Sequence, residues 1–457
     1  MNISMPAFAT TCIALLEEHG HSAYIVGGCV RDSLLGRAPK DWDICTSAPP
    51  DQMQRVFAGK VRTLPTGIKH GTITLLGDDL SIEATTFRHD GQYLDHRRPD
   101  TVAFTSELED DLARRDFTVN AMAYHPQRGL CDPFDGQKDL AAGVLRCVGD
   151  PMRRFEEDAL RILRLFRFGA QLGFEPQAQT LAGAKARRAL LAFVSAERVS
   201  AELSKLIMGE DAHKALRAAT ASGVLEEILP EFGPSIGFDQ RSPYHDRTVD
   251  EHSFAALAAS PARHPIRLAL LLHDIGKPHV ATLDENGRGH YKGHAGVGAK
   301  IAGQILQRLH YPTKTAAYVE KLIAFHNKFL PAQPDVLRRL LGEHGPPFIC
   351  DLLDVKEADN RAKSAHCAER LERYKQVRAM VGEILAAGHC LTLSDLAVNG
   401  EDLAGAGIPQ GPETGQILRD LLKLVWKEPE KNTRAQLLEE VASKLAKDLG
   451  STPPNPT

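Results

Sequence analysis

The stretch YIVGGCVRDSLLGRAPKDWDICT, Tyr24 to Thr46, decides the fold of the first third of the chain. Tyr24-Ile25-Val26 predicts a short buried strand, Gly27-Gly28 the turn after it, and Val30 to Leu35 the first turns of a helix ending near Gly36. Backbone N–H groups at such a turn are suited to a triphosphate, which makes Gly27, Gly28 and the nearby Arg31 candidate nucleotide contacts. Asp41-Trp42-Asp43-Ile44 predicts a second strand, whose period of two points both carboxylates to one face. Two hard oxygen donors on one face suit Mg²⁺. A two-metal arrangement activates a hydroxyl nucleophile and stabilises the leaving pyrophosphate of an in-line displacement.

A diglycine turn alone is usually only a turn, and two strand aspartates alone are usually a solvated edge. Their order and tight spacing carry the inference. A third carboxylate is expected on a neighbouring strand, and SIEATTFR, Ser81 to Arg88, offers Glu83. It alternates with Ile82 and Ala84 and so faces away from the buried side.

The segments GGCVRDSLLGRAPKDWDI, IEATTFR, DGQYLDHRRPDTVAF and RRDFTVNAMAY resemble the bacterial CCA-adding tRNA nucleotidyltransferase and poly(A) polymerase family of the polymerase-β superfamily, and the likeness runs along most of the chain. The resemblance implies an α+β, palm-like head in which Asp41, Asp43 and Glu83 are catalytic and hold two Mg²⁺ ions. It further implies template-independent addition of CMP and AMP, from CTP and ATP, to tRNA 3′ ends.

Length and composition set the frame. The 457 residues exceed a single domain, and 43% hydrophobic content is ample for real cores. No apolar run approaches a bilayer-spanning length, and the first residues, MNISMPAFATTCIALLEEHG, carry the periodicity of an amphipathic helix rather than the basic region and cleavage site of a signal peptide. Eight scattered cysteines without a CxxC pair argue against a zinc ribbon or a disulfide framework, so a cytoplasmic, membrane-free protein is expected. The net charge of −4 does not announce a nucleic-acid partner in bulk. Arg153, Arg154, Arg161, Arg164, Arg167, Lys185, Arg187 and Arg188 nonetheless concentrate positive charge beyond the head, either as an RNA-binding surface or as an ordinary solvated helix face.

Up to about residue 145 the pattern mixes helix and strand, with strands around Thr72 to Leu76 and Ser81 to Phe87. After Asp150-Pro151 it turns helical. The expected organisation is a nucleotidyltransferase head over 1–145, a helical neck over 146–232, an HD domain over 233–370 and a helical tail over 371–457, the last three forming an elongated all-α body. Breaks fall at Pro230 to Pro234, at Gly345-Pro346-Pro347 and around Gly405 to Gly415, and the closing GSTPPNPT has a disordered composition.

A chain that selects bases without a template must read them with protein groups. In RFEEDALRILRLFRF, Asp158 and Arg161 are three apart, so on one helix they share a face and can meet one base together. A carboxylate accepts from the exocyclic amino group that C and A share, and G and U lack that pattern. The bland alternative is a surface ion pair; the family's EDxxR motif matches Glu157, Asp158 and Arg161. By the same resemblance, Asp116 and Asn120 of RRDFTVN contact the ribose, the polar stretch Asp90 to Pro99 is a loop that switches between C and A addition, and Asp132 to Gly136 is a turn used as a hinge.

Ten of the 19 histidines lie between His245 and His344. Among them, LALLLHDIGKP ends an apolar helix in the adjacent ligands His273-Asp274. Upstream stands His252 in VDEHS; downstream stand His294 in HYKGHAGVG, His326 in IAFHNK and Asp359 in KEADNRAK. Such converging His and Asp residues suit a divalent transition metal, whose identity the pattern leaves open. The string resembles the HD phosphohydrolase superfamily: His252, His273, Asp274 and Asp359 match its ligands, and His294 and His326 match the extra histidines of its larger variants. This implies hydrolysis of phosphomonoesters or cyclic phosphodiesters, with Lys277 as a phosphate contact. In the tail, Gly405, Gly407, Gly411 and Gly415 either let backbone approach RNA or cap an ordinary helix-loop-helix. Two rival readings stand beside CCA addition: a poly(A) polymerase or A-adding tRNA enzyme that shares the whole head, and an HD hydrolase whose head only binds RNA.

Overall fold

The computed structural model describes residues 3–90 and 102–450. The chain divides into two compact units, Met1–Ile236 with Gln304–Thr313, and Gly237–Gly303 with Lys314–Thr457. The expected head and neck thus fall in one unit, and the expected tail with most of the HD segment in the other; Gln304–Thr313 of that segment belongs to the first unit.

The first unit contains a sheet built from β1 (Ala23–Val26), β2 (Trp42–Thr46), β3 (Arg62–Gly67), β4 (Thr72–Leu76) and β5 (Ser81–Thr86). A separate antiparallel pair follows, β6 (Arg88–Asp90) with β7 (Val102–Phe104); β8 (Ala123–His125) and β9 (Gly129–Cys131) then complete the seven-stranded sheet in the order β3-β4-β5-β2-β1-β8-β9. The β2–β5 pairing is parallel, and the other neighbours are antiparallel. The expected strands over Thr72 to Leu76 and Ser81 to Phe87 are β4 and β5. Strand β3 carried no alternating signal because it forms the sheet edge, is mostly exposed and contains Pro65.

Alternation does the folding work in β5: Ile82 and Ala84 are buried while Ser81 and Glu83 are exposed. Under the sheet, Val26, Cys45, Phe87, Leu112, Ala121, Ala123 and Val148 form one apolar cluster. The opening helix Ala7–Glu18 buries Ala9, Cys12, Ile13 and Leu16, the amphipathic stripe its sequence predicts. Beyond Asp150, whose carboxylate caps the Met152 N–H, the unit is helical. Its most buried helix, Leu160–Leu172, packs against Ala196–Ile207 and Ala212–Ala221.

Among its described residues the second unit is helical apart from a two-stranded pair at Thr282–Leu283 and Gly289–His290. Gly345 joins the helices Pro334–His344 and Pro346–Arg361, at the expected break. Gly400–Gly405 and Pro412–Lys427 flank the glycine-rich segment, which is a helix-turn-helix packed over Leu403, Ile408, Leu421 and Val425. The GSTPPNPT segment lies outside the described residues, except for its first glycine.

Candidate active sites

Strand pairing brings the head carboxylates together. Asp43 stands opposite Glu83 in the parallel β2–β5 register, so both side chains share one face, and Asp41 immediately precedes β2. Burial raises the Asp43 carboxyl to about 6; Arg115 acts against the shift, and the like charges of Glu83 and Asp41 reinforce it. A carboxylate group that opposes its own ionisation in this way is one that a divalent cation relieves, so the donor set fits Mg²⁺. Among the described residues, Asp41, Asp43 and Glu83 do not form a set of ligand atoms within 4.8 Å of one another.

The diglycine turn sits beside them. Gly27 has φ +78° and ψ −126°, a conformation open only to glycine, and a Cβ there would lie 3.0 Å from the Arg115 guanidinium. The helix Gly28–Leu34 starts directly at the second glycine, two residues earlier than its sequence predicts. Arg31 Nη1 donates to Asn120 Oδ1 at 2.5 Å, and Asn120 Nδ2 donates to Asp116 Oδ1 at 3.1 Å. Asp116 Oδ2 accepts from Arg164 Nε at 2.7 Å. Burial opposes the Asp116 charge, but Arg164, Asn120 and the Phe117 N–H outweigh it and hold the carboxyl well below the usual range. Four sequence-predicted or neighbouring groups therefore form one chain from the diglycine helix to the neck. Phe168 is surrounded by the guanidinium groups of Arg31, Arg164 and Arg167 at 5.2, 5.3 and 3.7 Å from its ring centre.

One expectation is corrected here. Asp158 and Arg161 do not share a helix face, because Pro151–Glu157 and Leu160–Leu172 are separate helices and Asp158 between them is extended at φ −140°. Asp158 caps the Leu160 N–H and pairs with Arg198 at 3.0 Å. Arg161 instead donates to Glu157 Oε2 at 2.8 Å and to the carbonyls of Arg154 and Arg114. In the basic run beyond the head, seven of the eight residues named lie beside carboxylates. Arg153, Arg154 and Arg161 pair with Glu157, Arg164 with Asp116, Arg167 with Glu202, Arg187 with Glu156 and Arg188 with Glu227. The Asp132 turn is as expected, its carboxylate accepting from the N–H groups of Gly136 and Gln137. Gly91 to Pro99 of the expected switching loop lie outside the described residues.

The second unit assembles a different site. His273 follows the helix His264–Leu272, and a Cβ on Gly276 would lie 2.2 Å from the His294 carbonyl and 2.6 Å from the Gly298 nitrogen. Only glycine at 276 lets the helix that begins at His294 approach so closely. His252 Nε2 lies 2.9 Å from Asp359 Oδ1, and His273 Nε2 3.1 Å from Asp274 Oδ2. His294 and His326 Nε2 lie 3.5 and 3.6 Å from Asp274 Oδ1. Among the described residues two groups could hold a metal ion, His252-His273-Asp274 and Asp274-His294-His326, which share Asp274; the expected ligand Asp359 is in neither.

Three of these rings are oriented from behind: His273, His294 and His326 place Nδ1 at 2.8, 2.7 and 2.7 Å from the carbonyls of Leu270, Tyr291 and Ile323. That bond sets the tautomer and turns Nε2 inward, as metal-ligating histidines require. His273 Nε2 and Asp274 Oδ2 are buried and have no aligned hydrogen-bond partner, despite close charged neighbours. Burial works against a charge on His273, but Asp274 and Asp359 outweigh it and raise the imidazole to about 9. Buried ligand atoms without an aligned partner and ring tautomers set from behind both fit a divalent metal.

Lys277 does not wait for a phosphate in open space. It is 4% exposed, with its ammonium 2.7 Å from Asp274 Oδ2 and 2.6 Å from Gln240 Oε1. Gln240, His245 (ring 4.9 Å from that of His252) and Lys363 (2.5 Å from Asp359 Oδ2) were not found from sequence. Lys363 carried a usable signal, one helical turn after Asp359. A cavity of about 550 Å³ opens over the cluster.

Comparison with known proteins matches three segments of the chain to domain families. Residues 23–146 match the poly A polymerase head domain, 173–235 the probable RNA and SrmB-binding site of polymerase A, and 249–373 the HD domain. The chain is 42% identical over 269 residues to the CCA-adding enzyme of Bacillus subtilis (strain 168), a match covering 58% of this chain and 65% of that protein, just under two thirds of its length. With the CCA-adding enzyme of Lactobacillus delbrueckii subsp. bulgaricus, identity is 34% over 436 residues, covering 93% of this chain and 95% of the relative. The fold is similar to the crystal structure of Bacillus stearothermophilus CCA-adding enzyme in complex with CTP, with a TM-score of 0.72 at 27% identity over 97% of this chain and all of that one. Near-complete coverage at this identity, over a head that keeps its carboxylates in register, places the chain in the CCA-adding enzyme family.

Proposed function

We propose that the chain adds CMP and AMP, from CTP and ATP, to tRNA 3′ ends without a template. The observation that carries this is the Asp43–Glu83 register beside Asp41 and the diglycine turn. Asp41, Asp43 and Glu83 would hold two Mg²⁺ ions, which when bound lower the pKa of the attacking 3′ hydroxyl and neutralise the departing pyrophosphate. The new bond joins the 3′ oxygen to the α-phosphorus as the α–β bond breaks.

The chain's own residues do the positioning. Backbone N–H groups at Gly27-Gly28 receive phosphate oxygens. Arg31, Asn120 and Asp116 hold the sugar from one hydrogen-bonded chain, already ordered by Arg164. Base choice falls to Asp158 and Arg161, reached from two sides of a helix break, which requires Asp158 to exchange Arg198 for the base. The working division is a head over 1–145, a neck over 146–232, an HD domain over 233–370 and a tRNA-binding tail over 371–457. The protein acts in the cytoplasm; among the described residues no helix is long and apolar enough to cross a membrane.

A second activity is favoured by the two ligand sets around Asp274. His252, His273, Asp274 and Asp359, with His294 and His326, would hold divalent metal, which when bound supplies an activated water for hydrolysis of phosphomonoesters or 2′,3′-cyclic phosphodiesters. The deciding experiment supplies labelled nucleotides one at a time to tRNA transcripts ending at the discriminator base, at C and at CC. Addition of C, C and A in that order supports the proposal, and A-runs on every end would point to a poly(A) polymerase.

A further inference from the structure

The cavity above the metal-ready cluster is larger than a phosphate needs, and its mouth is aromatic as well as cationic. Phe329 is 70% exposed and Tyr244 37% exposed, and both line it. The Arg373 guanidinium lies 4.7 Å from the Phe329 ring centre, while those of Arg288 and Arg370 each lie 5.3 Å from the Tyr244 ring. Phe329 thus presents aromatic surface to solvent at the mouth of a polar cavity.

Its position is also pinned to the cluster. The Lys356 ammonium, 2% exposed as a residue, donates to the carbonyls of His326 and Lys328 at 2.6 and 2.5 Å, so the segment that ends in Phe329 is fixed relative to His326. On the other side, Arg373 also stacks on Tyr374 at 5.4 Å, and the Tyr374 hydroxyl receives Asn360 Nδ2, next to Asp359.

We propose that this mouth is a nucleobase subsite, in which Phe329 stacks the base of the nucleotide whose phosphoester reaches the metal cluster and the Arg288–Tyr244–Arg370 stack supplies a second cationic wall. The proposal rests on the hydrolase reading of the cluster and names what its substrate must carry. Bases stack on phenyl rings and guanidinium planes whatever their sequence, whereas a sugar phosphate or a phosphorylated serine has no π face to offer. The terminal nucleotide is the shared chemistry; it is presented either by a free mononucleotide or by an RNA 3′ end.

The test uses the full chain, treated with chelator and resupplied with Mn²⁺, Ni²⁺, Co²⁺ or Mg²⁺. Phe329→Ala, at an exposed position, is expected to lower kcat/KM for 2′,3′-cyclic AMP by about five- to 150-fold, through KM. Hydrolysis of glycerol 2-phosphate, which has no base, should be unchanged, and Phe329→Trp should restore the nucleotide rate. Calorimetric titration of 2′-AMP into metal-free wild type and variant should show the same loss in affinity. A parallel arm with tRNA ending in a 2′,3′-cyclic phosphate separates the sources: a loss on both substrates assigns the subsite to any terminal nucleotide, and a loss on tRNA alone assigns it to the RNA end. Equal losses on glycerol 2-phosphate, or no loss on either nucleotide substrate, would overturn the subsite while leaving the hydrolase reading intact. If wild type hydrolyses nothing with any metal, the hydrolase reading falls, and the titration alone decides the subsite: equal affinities overturn it.

Discussion

Asp116→Asn isolates one charge in the network that joins the nucleotide-binding head to the neck. Asparagine keeps an oxygen for the Phe117 and Asn120 donors, at 2.8 and 3.1 Å, but turns an amide toward the Arg164 guanidinium, which now lies 2.7 Å from Oδ2. Breaking a buried pair by removing one partner costs about 3–5 kcal/mol, and because the Arg164 side chain is 34% exposed and can turn toward water, the lower end applies, about 3 kcal/mol. At about 2–4 °C per kcal/mol for a unit of this size, the expected loss is about 6–12 °C in Tm. The pH dependence has a definite sign. Asp116 has a depressed folded pKa, so its contribution is complete above its unfolded value near about 3.9 and is lost as pH falls toward the folded one. Differential scanning calorimetry of wild type and variant should therefore show a constant gap from neutral pH down to about 5 that narrows below about 4. A gap under about 2 °C at pH 7, or one undiminished at about pH 3, would refute the assignment of the stabilisation to this ion pair.

Asp41→Ala and Asp43→Ala should each abolish nucleotide incorporation while cooperative melting persists, since each removes a charge from a polar face rather than core volume; full activity in either variant removes the two-metal reading. Asp158→Ala or Arg161→Ala should weaken the preference for C and A over G and U, measured by single-nucleotide incorporation; equal slowing of all four bases would discard base reading by this pair. Combining His273→Ala with Asp274→Ala should remove bound divalent metal and metal-dependent phosphoester hydrolysis while CCA addition continues, as read by elemental analysis and tRNA extension on the same preparation. Gly276→Ala places a methyl 2.2 Å from the His294 carbonyl, so it should cost about 1–3 kcal/mol and lower the metal content, and an unchanged metal content would show that the close approach does not position His294.

The elements whose information is local were legible in the sequence. The Gly27-Gly28 turn and the strands that carry Asp43 and Glu83 each occupy a few adjacent residues, and within those strands the period of two assigns faces. The candidate metal-binding pair His273-Asp274 was legible for the same reason, and His252, His294, His326 and Asp359 entered as candidates by resemblance. What sequence periodicity misjudged was continuity: Asp158 and Arg161 are at helical spacing, yet the chain leaves the helix at Asp158, which binds Arg198, 40 residues away. Periodicity was also silent on which carboxylates meet the arginines beyond the head, since Asp116, Glu202 and Glu227 reach them only after folding.

The metal cluster shows most plainly what the tertiary structure alone decides. His252 and Asp359 are 107 residues apart, and they meet at 2.9 Å because their two helices pack together. That one carboxylate, Asp274, faces two ligand sets, and that Lys277, Gln240 and Lys363 close around them, follows from helix packing and from the close approach that Gly276 permits. Side-chain chemistry is written residue by residue and can be read from the sequence, whereas convergence depends on which buried faces exclude water against one another, a property of the whole packed core.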